Sequence, residues 1–280
     1  MNTEFIKEVG AFTWTLRSIQ RQVYKRILKR NHSMFLPTGQ RFVLPITSKF
    51  ASEAFISNAD VDWGSEALLF KLLKNEGVFL DVGANIGYYS LYMLPKVNGV
   101  YSFEPDPRTL KILEQNVQFI QGVNIVPVAI GKMKGKINFT LEDDGEVSHI
   151  NLEKNNLSEK NIQVDVTTID EFVQDNELRV EAIKIDIEGF DIDAIAGSIA
   201  TLLSQRPIVL TEAAPVKELF DITGKVNYRV LSFLRDIKTR QKHFDEIWLG
   251  TSSNFTTKML FLIPEERADS ILELVRSDEK

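Results

Sequence analysis

The chain has 280 residues, of which 44% are hydrophobic and 26% charged, and its net charge is −6. That length and composition suit one large domain, or a domain with an appended segment, around a sizeable core. The acidic balance gives no global support to a nucleic-acid partner. The absence of cysteine excludes disulfides, thiolate metal sites and a cysteine nucleophile.

No apolar stretch approaches the roughly 20 residues of a membrane-spanning helix. Residues 1–10 carry Glu4 and Glu8 and lack the charged-then-apolar order of a signal peptide, so a cytoplasmic location is expected. Phe12, Leu16, Ile19, Val23 and Ile27 then recur at helical spacing among Arg17, Arg21, Lys25, Arg26, Lys29 and Arg30. A basic amphipathic helix of this kind packs on its own domain, or else lies on an anionic membrane or an acidic partner. Pro37, Gly39 and Pro45 break the pattern around a short strand at 41–44. Residues 1–60 are therefore read as an N-terminal helical and extended segment, and 61–280 as the main domain.

From Trp63 onward the chain alternates. A helix is expected over 65–75, a strand over 78–81, a helix over 88–94 and a strand over 99–104. Asp106 caps a helix running towards Phe119, and a third strand follows at 124–130. Segments 136–141 and 162–168 form an extra strand pair around the polar loop 142–161. A helix at 169–174, a strand at 182–187, a helix at 191–203 and a strand at 208–212 come next. A helix is expected at 228–237, then two strands at 246–249 and 258–263 joined as an antiparallel edge hairpin, and a terminal helix from Pro264. Apolar strands alternating with helices imply an α/β fold, a mostly parallel sheet covered on both faces.

Three strand ends carry the chemistry. Asp81-x-Gly83-x-x-x-Gly87 closes the first core strand, where open α/β sheets bind ligands. Gly83 permits a tight turn, Gly87 lets the helix start close to the sheet, and Asp81 is positioned to accept a bond from an ammonium group. Glu104 ends the second strand, the usual place for an acid that holds ribose hydroxyls, with Pro105 stopping the strand. A pyrophosphate cofactor needs G-x-G-x-x-G, but Asn85 stands at the second glycine position. The pattern therefore favours S-adenosyl-L-methionine, which has no phosphate. In Ile185-Asp186-Ile187-Glu188-Gly189 another strand delivers Asp186 to the same rim, near the reactive end of such a cofactor.

These motifs in order resemble the FkbM family of S-adenosylmethionine-dependent methyltransferases, with Thr168-Ile169-Asp170 and Leu210-Thr211-Glu212 also in the family's style. The resemblance runs from about residue 60 to 212. Asp191 departs from it, an acid one carbon longer being more usual there. It implies a Rossmann-like seven-stranded methyltransferase fold and O-methylation of a sugar, glycan or natural-product hydroxyl. By the same resemblance, Asp81, Gly83 and Gly87, with Ala84 and Asn85 in the turn, hold the methionine end. Glu104 and Pro105 then meet the ribose, and Val128, Ala129 and Ile130 line the adenine.

Asp186 is the first candidate for the base that takes the acceptor's proton, Glu188 the next, and His149 in the polar loop a third. Lys184 is expected to point away or pair with an acid. No metal site is expected, because no histidine lies near Asp186 and Glu188 to strengthen one. Two other functions compete: a methyltransferase fold kept as a binding module that reaches a partner through its basic N-terminal helix, and a nicotinamide-dependent dehydrogenase. Expected partners are a small-molecule or glycan acceptor, without nucleic acid.

Overall fold

The computed structural model describes residues 6, 9–140, 149–151, 161–251 and 254–278. The N-terminal segment forms α1 (Ala11–Gln22), a π-helical continuation over Val23–Leu28, strands β1 (His32–Phe35) and β2 (Arg41–Leu44), and α2 (Phe50–Ser57). After α3 (Ser65–Leu72) come β3 (Val78–Val82), α4 (Tyr88–Met93), β4 (Gly99–Phe103), α5 (Pro107–Val117), β5 (Val123–Val126) and β6 (Ala129–Ile130). Strands β7 (Gly135–Thr140), β8 (His149–Asn151) and β9 (Asn161–Thr167) precede α6 (Ile169–Asp175) and β10 (Val180–Ile185). The remainder is α7 (Asp191–Ala196), α8 (Ile199–Gln205), β11 (Ile208–Thr211), α9 (Lys217–Val226), β12 (Tyr228–Asp236), β13 (Lys242–Ile247), β14 (Phe255–Thr256), β15 (Leu260–Pro264) and α10 (Glu265–Asp278).

The main sheet runs β13-β12-β15-β11-β10-β3-β4-β5, with β14 paired to β12. Strands β11, β10, β3, β4 and β5 are mutually parallel, and β15 enters antiparallel between β11 and β12. Without the edge strand β13, this is the expected seven-stranded sheet. The strand order reverses between β3 and β10, and the crevice outside the carboxyl ends of strands at such a switch point is where open α/β sheets hold ligands.

Each central strand is buried on both faces, as a parallel sheet requires. In β3, Phe79 joins a cluster with Tyr88, Leu91, Leu113 and Phe261, while Leu80 and Val82 join another with Ile183, Ile195 and Leu262. Phe42, Leu44, Ala51 and Ala54 of the N-terminal segment belong to the first cluster. Residues 1–60, read as a segment apart, thus contribute to the same core as the sheet wherever they are described. Strands β6, β9, β7 and β8 form a separate small sheet in that order, containing the expected strand pair. The loop expected at 142–161 lies largely outside the described residues, apart from β8.

Two expectations are corrected. The helix read over 228–237 is strand β12. Tyr228, Val230 and Leu234 point into one core cluster while Leu231 and Phe233 pack against the other, a period of two. The final two strands do not pair with each other. Instead β12 lies between β13 and β15 and is antiparallel to both, so the edge hairpin is β12–β13.

Candidate active site

A cleft of about 420 Å³ opens at the switch point between β3 and β10, a size common for small-molecule sites. Its floor comes from the glycine turn after β3. Gly83 has φ of 76°, and a β-carbon there would stand 2.0 Å from the carbonyl oxygen of Asp186, so only glycine lets the turn pass the end of β10. Gly87 (φ 89°) lies where a β-carbon would meet Leu113 at 2.6 Å, which allows α4 to start tight against α5. Between them Asn85 takes a left-handed φ of 50°, a region asparagine tolerates better than most residues.

Glu104 ties this turn to the next strand. Its Oε2 accepts from the Asn85 backbone N–H at 3.0 Å, and its Oε1 from the Asp106 N–H at 2.9 Å. Asp106 caps α5 by accepting from the Arg108 N–H at 2.8 Å, with Pro107 in the first turn. Burial, together with the Asp106 charge, pushes the Glu104 carboxyl up to about 7. The cleft wall beside Glu104 is apolar: Phe103, Pro105, Val128, Ala129 and Ile130.

Across the cleft the chemistry changes. Strand register sets Lys184 of β10 opposite Asp81 of β3, and Asp81 opposite Ser102 of β4. The Lys184 ammonium donates to the Gly83 carbonyl at 2.9 Å and lies 3.2 Å from Asp186 and 3.8 Å from Asp81. Burial alone lowers the lysine's affinity for its proton. The Asp186 and Asp81 charges outweigh that and leave it above the usual value, so Lys184 pairs with acids.

Asp81 is fully buried and is not part of the cleft wall. Its Oδ2 accepts from the Ser90 hydroxyl at 2.5 Å, and burial holds its carboxyl above the ordinary range. The cation beside it within the chain is Lys184. Gly87 also lies behind the wall, whereas Gly83, Ala84, Asn85, Glu104, Pro105, Val128, Ala129, Asp186 and Glu188 all reach the cleft. His149 sits on β8, at the far edge of the small sheet from β6, and its side chain lies outside the described part of the structure.

Three acids absent from the expected set join Asp186 and Glu188. Glu212, just past β11, shares a hydrogen bond with Asp186. Burial and the Asp186 charge push Glu212 up to about 8. Burial also raises Asp186, but the Lys184 ammonium and the Glu212 hydrogen bond more than offset it and keep Asp186 ionised below the usual carboxylate range. Asp62 accepts from the Tyr89 hydroxyl at 2.7 Å and lies 3.8 Å from the Lys258 ammonium, which is 3.4 Å from Glu53. Burial raises Asp62 in spite of Lys258. Glu188 holds a left-handed φ of 46° at the head of the turn before α7. Glu212 stood in the family-like stretch Leu210-Thr211-Glu212 at a strand end on the same rim, but was given no role there. Asp62 and Glu53 come from the N-terminal region, where no pattern pointed to a cleft.

The residues present fit S-adenosyl-L-methionine. The apolar wall would suit a flat base, Glu104 beside it could accept from ribose hydroxyls, and the acid-rich far end would suit a sulfonium and an ammonium group. Among the described residues no group of three or more His, Asp or Glu is arranged to hold a metal ion.

The chain matches the methyltransferase FkbM domain over residues 81–248. It is 30% identical over 168 residues to 2-O-methyltransferase NoeI of Sinorhizobium fredii, covering 54% of this chain and 68% of that protein. It is 25% identical over 146 residues to Methyltransferase 1 of Beauveria bassiana, covering 44% and 59% of the two. Among solved structures, a methyltransferase FkbM from Methylobacillus flagellatus is similar over 67% of this chain and 44% of that one, with 19% identity and a TM-score of 0.42. The domain match spans every strand end that forms the cleft, and with the strand order of the sheet it leads to one conclusion: this chain belongs to the FkbM family of methyltransferases.

Proposed function

We propose that the chain is an S-adenosyl-L-methionine-dependent O-methyltransferase whose acceptor is a hydroxyl of a sugar, glycan or small natural product. The observation that carries this reading is the division of the cleft, with Glu104 among apolar residues on one side and the Asp186–Glu212 pair on the other. The similarity to a protein named as a 2-O-methyltransferase supports the choice of a hydroxyl acceptor. S-adenosyl-L-methionine, when bound, supplies an electrophilic methyl on a sulfonium.

The chain's own residues would do the rest. Glu104 accepts hydrogen bonds from the ribose hydroxyls, and Val128, Ala129 and Ile130 pack the adenine. Asp186, held ionised by Lys184, orients the acceptor hydroxyl. Glu212 keeps a proton on the pair until about pH 8, so above that value the pair carries two charges and takes the acceptor's proton more readily. Glu188, at the exposed lip, contacts the acceptor. Most of the rate comes from alignment of acceptor and methyl, which the rigid strand ends supply.

The test is transfer of a labelled methyl group to a panel of mono- and oligosaccharides, followed as a function of pH. The expected result is product on a hydroxylated acceptor, with a rate that rises through about pH 8 and a profile flattened in Glu212→Gln. Transfer only to amine or carboxylate acceptors would contradict the hydroxyl assignment. An unchanged profile in Glu212→Gln would remove Glu212 from the proton's route.

A further inference from the structure

Helix α1 is docked by the face that a solvated amphipathic helix turns outward. Arg17 donates to the Phe55 carbonyl at 2.9 Å and to Asn58 Oδ1 at 2.8 Å. Arg21, 1% exposed, donates to the Leu44 carbonyl and to the Ser52 hydroxyl, both at 3.1 Å, and to the Pro45 carbonyl. These arginines hold α1 to β2 and α2. The apolar stripe points the other way, with Phe12 82%, Leu16 57%, Ile19 58% and Ile27 72% exposed. On helical spacing all four fall within one narrow face, and water is a poor medium for it.

The charge around that stripe has one sign. The chain as a whole is acidic, yet no acid occurs between Glu8 and Glu53, and eight lysines and arginines do. Arg26, Lys29 and Arg30 are exposed at the end of the π-helical turn, beside the exposed Ile27 and Leu28.

We propose that α1 and its π-helical continuation dock on an anionic lipid bilayer. The stripe sinks to the headgroup boundary, and Arg26, Lys29 and Arg30 meet lipid phosphates. Charge selects this occupant. A bilayer surface is anionic above and apolar below, which complements an apolar face flanked by uncharged Thr and Gln and ending in an exposed cluster of cations. A second copy of the chain fits worse, because a two-fold contact through this face sets its cations against themselves. Since α1 packs on α2, and α2 lines the cleft through Phe50 and Glu53, docking would hold the cleft one helix away from the lipid surface.

The experiment is flotation of the full chain with vesicles of phosphatidylcholine alone and of phosphatidylcholine with phosphatidylglycerol, at low and high salt. The expected result is binding to the anionic vesicles only, weakened by salt. It should fall about tenfold or more in Arg26→Glu/Lys29→Glu, the scale of losing cations near an anionic surface, and likewise in Leu16→Ser/Ile19→Ser/Ile27→Ser. All of these positions are solvent-facing and outside the cleft, so thermal melts of the variants should match the parent. Absence of binding to anionic vesicles at low salt would overturn the proposal, as would equal binding to neutral ones. So would a dimer in sedimentation velocity that the triple variant converts to monomer, since the stripe would then be an interface between copies.

Discussion

At the scale of single residues, burial raises the affinity of several carboxyl groups in and around the site for their protons. Glu66 shows the principle outside the cleft. Its Oε1 accepts from the Val61 and Asp62 N–H groups at 2.7 and 2.8 Å, its Oε2 has no partner, and burial pushes it up to about 8. The folded chain therefore keeps a proton that the unfolded chain releases near 4.5. Stability from this group is complete below that value and is lost as pH rises through about 8. Glu66→Gln keeps the acceptor and removes the titration. The melting temperature of the variant should therefore fall less than that of the parent between pH 6 and pH 9 in paired thermal scans. The narrowing should be a few degrees, since each kcal/mol moves Tm by roughly 2–4 °C in a chain of this size. Equal falls in the two proteins would place the buried proton elsewhere.

The same scale shows what residue types alone conveyed about the site. The glycine turn, Glu104 and Asp186 were legible because strand ends on one rim of a parallel sheet must converge. Asp81 was read as facing a ligand, but register sets it beside Lys184 beneath the turn, and register is not written in a motif. Glu212 was visible in Leu210-Thr211-Glu212 but its pairing with Asp186 was not, and Asp62 carries no local signature; only the tertiary arrangement brings them to Asp186.

At the scale of elements, most of the alternation was legible from apolar runs and from the cap Asp106, whose side chain accepts from the Arg108 N–H group. Strand β12 was not. Val230, Leu231 and Leu234 fit helical spacing as well as a strand buried on both faces. In the sheet Ser232 is buried and donates to the Met259 carbonyl at 2.7 Å, which satisfies its hydroxyl. The N-terminal helix was legible as an element, but its docking by arginines was not, because arginines in a basic helix look like a solvated face. Arg21→Ala should release it. Each charge-assisted bond is worth roughly 1.5–3 kcal/mol, and the variant would leave the Leu44 and Pro45 carbonyls without this donor. Limited trypsin digestion should cut faster at Lys25 and Arg26 in the variant, with the remainder of the chain staying intact. Unchanged cleavage would show that α1 is held by other contacts.

At the scale of the whole molecule, the N-terminal region and the sheet act as one unit. Phe42 packs edge-on against Tyr88 with ring centroids 5.7 Å apart, and Tyr88 donates to the Ala59 carbonyl at 2.9 Å. Through Phe50, Glu53 and Asp62 that region also supplies one wall of the cleft. That wall lies outside the matched family domain of residues 81–248, and such added segments are where members of a shared fold commonly differ in function. Among the described residues no helix is long and apolar enough to cross a membrane.

The central claim is that the cleft between β3 and β10 holds the adenosyl cofactor, with Glu104 on the ribose. Calorimetric titration with S-adenosylhomocysteine tests it most directly. The account predicts saturable binding at one site per chain, strengthening as pH rises through about 7, where Glu104 ionises. In Glu104→Ala it predicts affinity about tenfold to a hundredfold weaker, the worth of roughly one charge-assisted bond. No binding by the parent protein, or equal affinity in the variant, would contradict it.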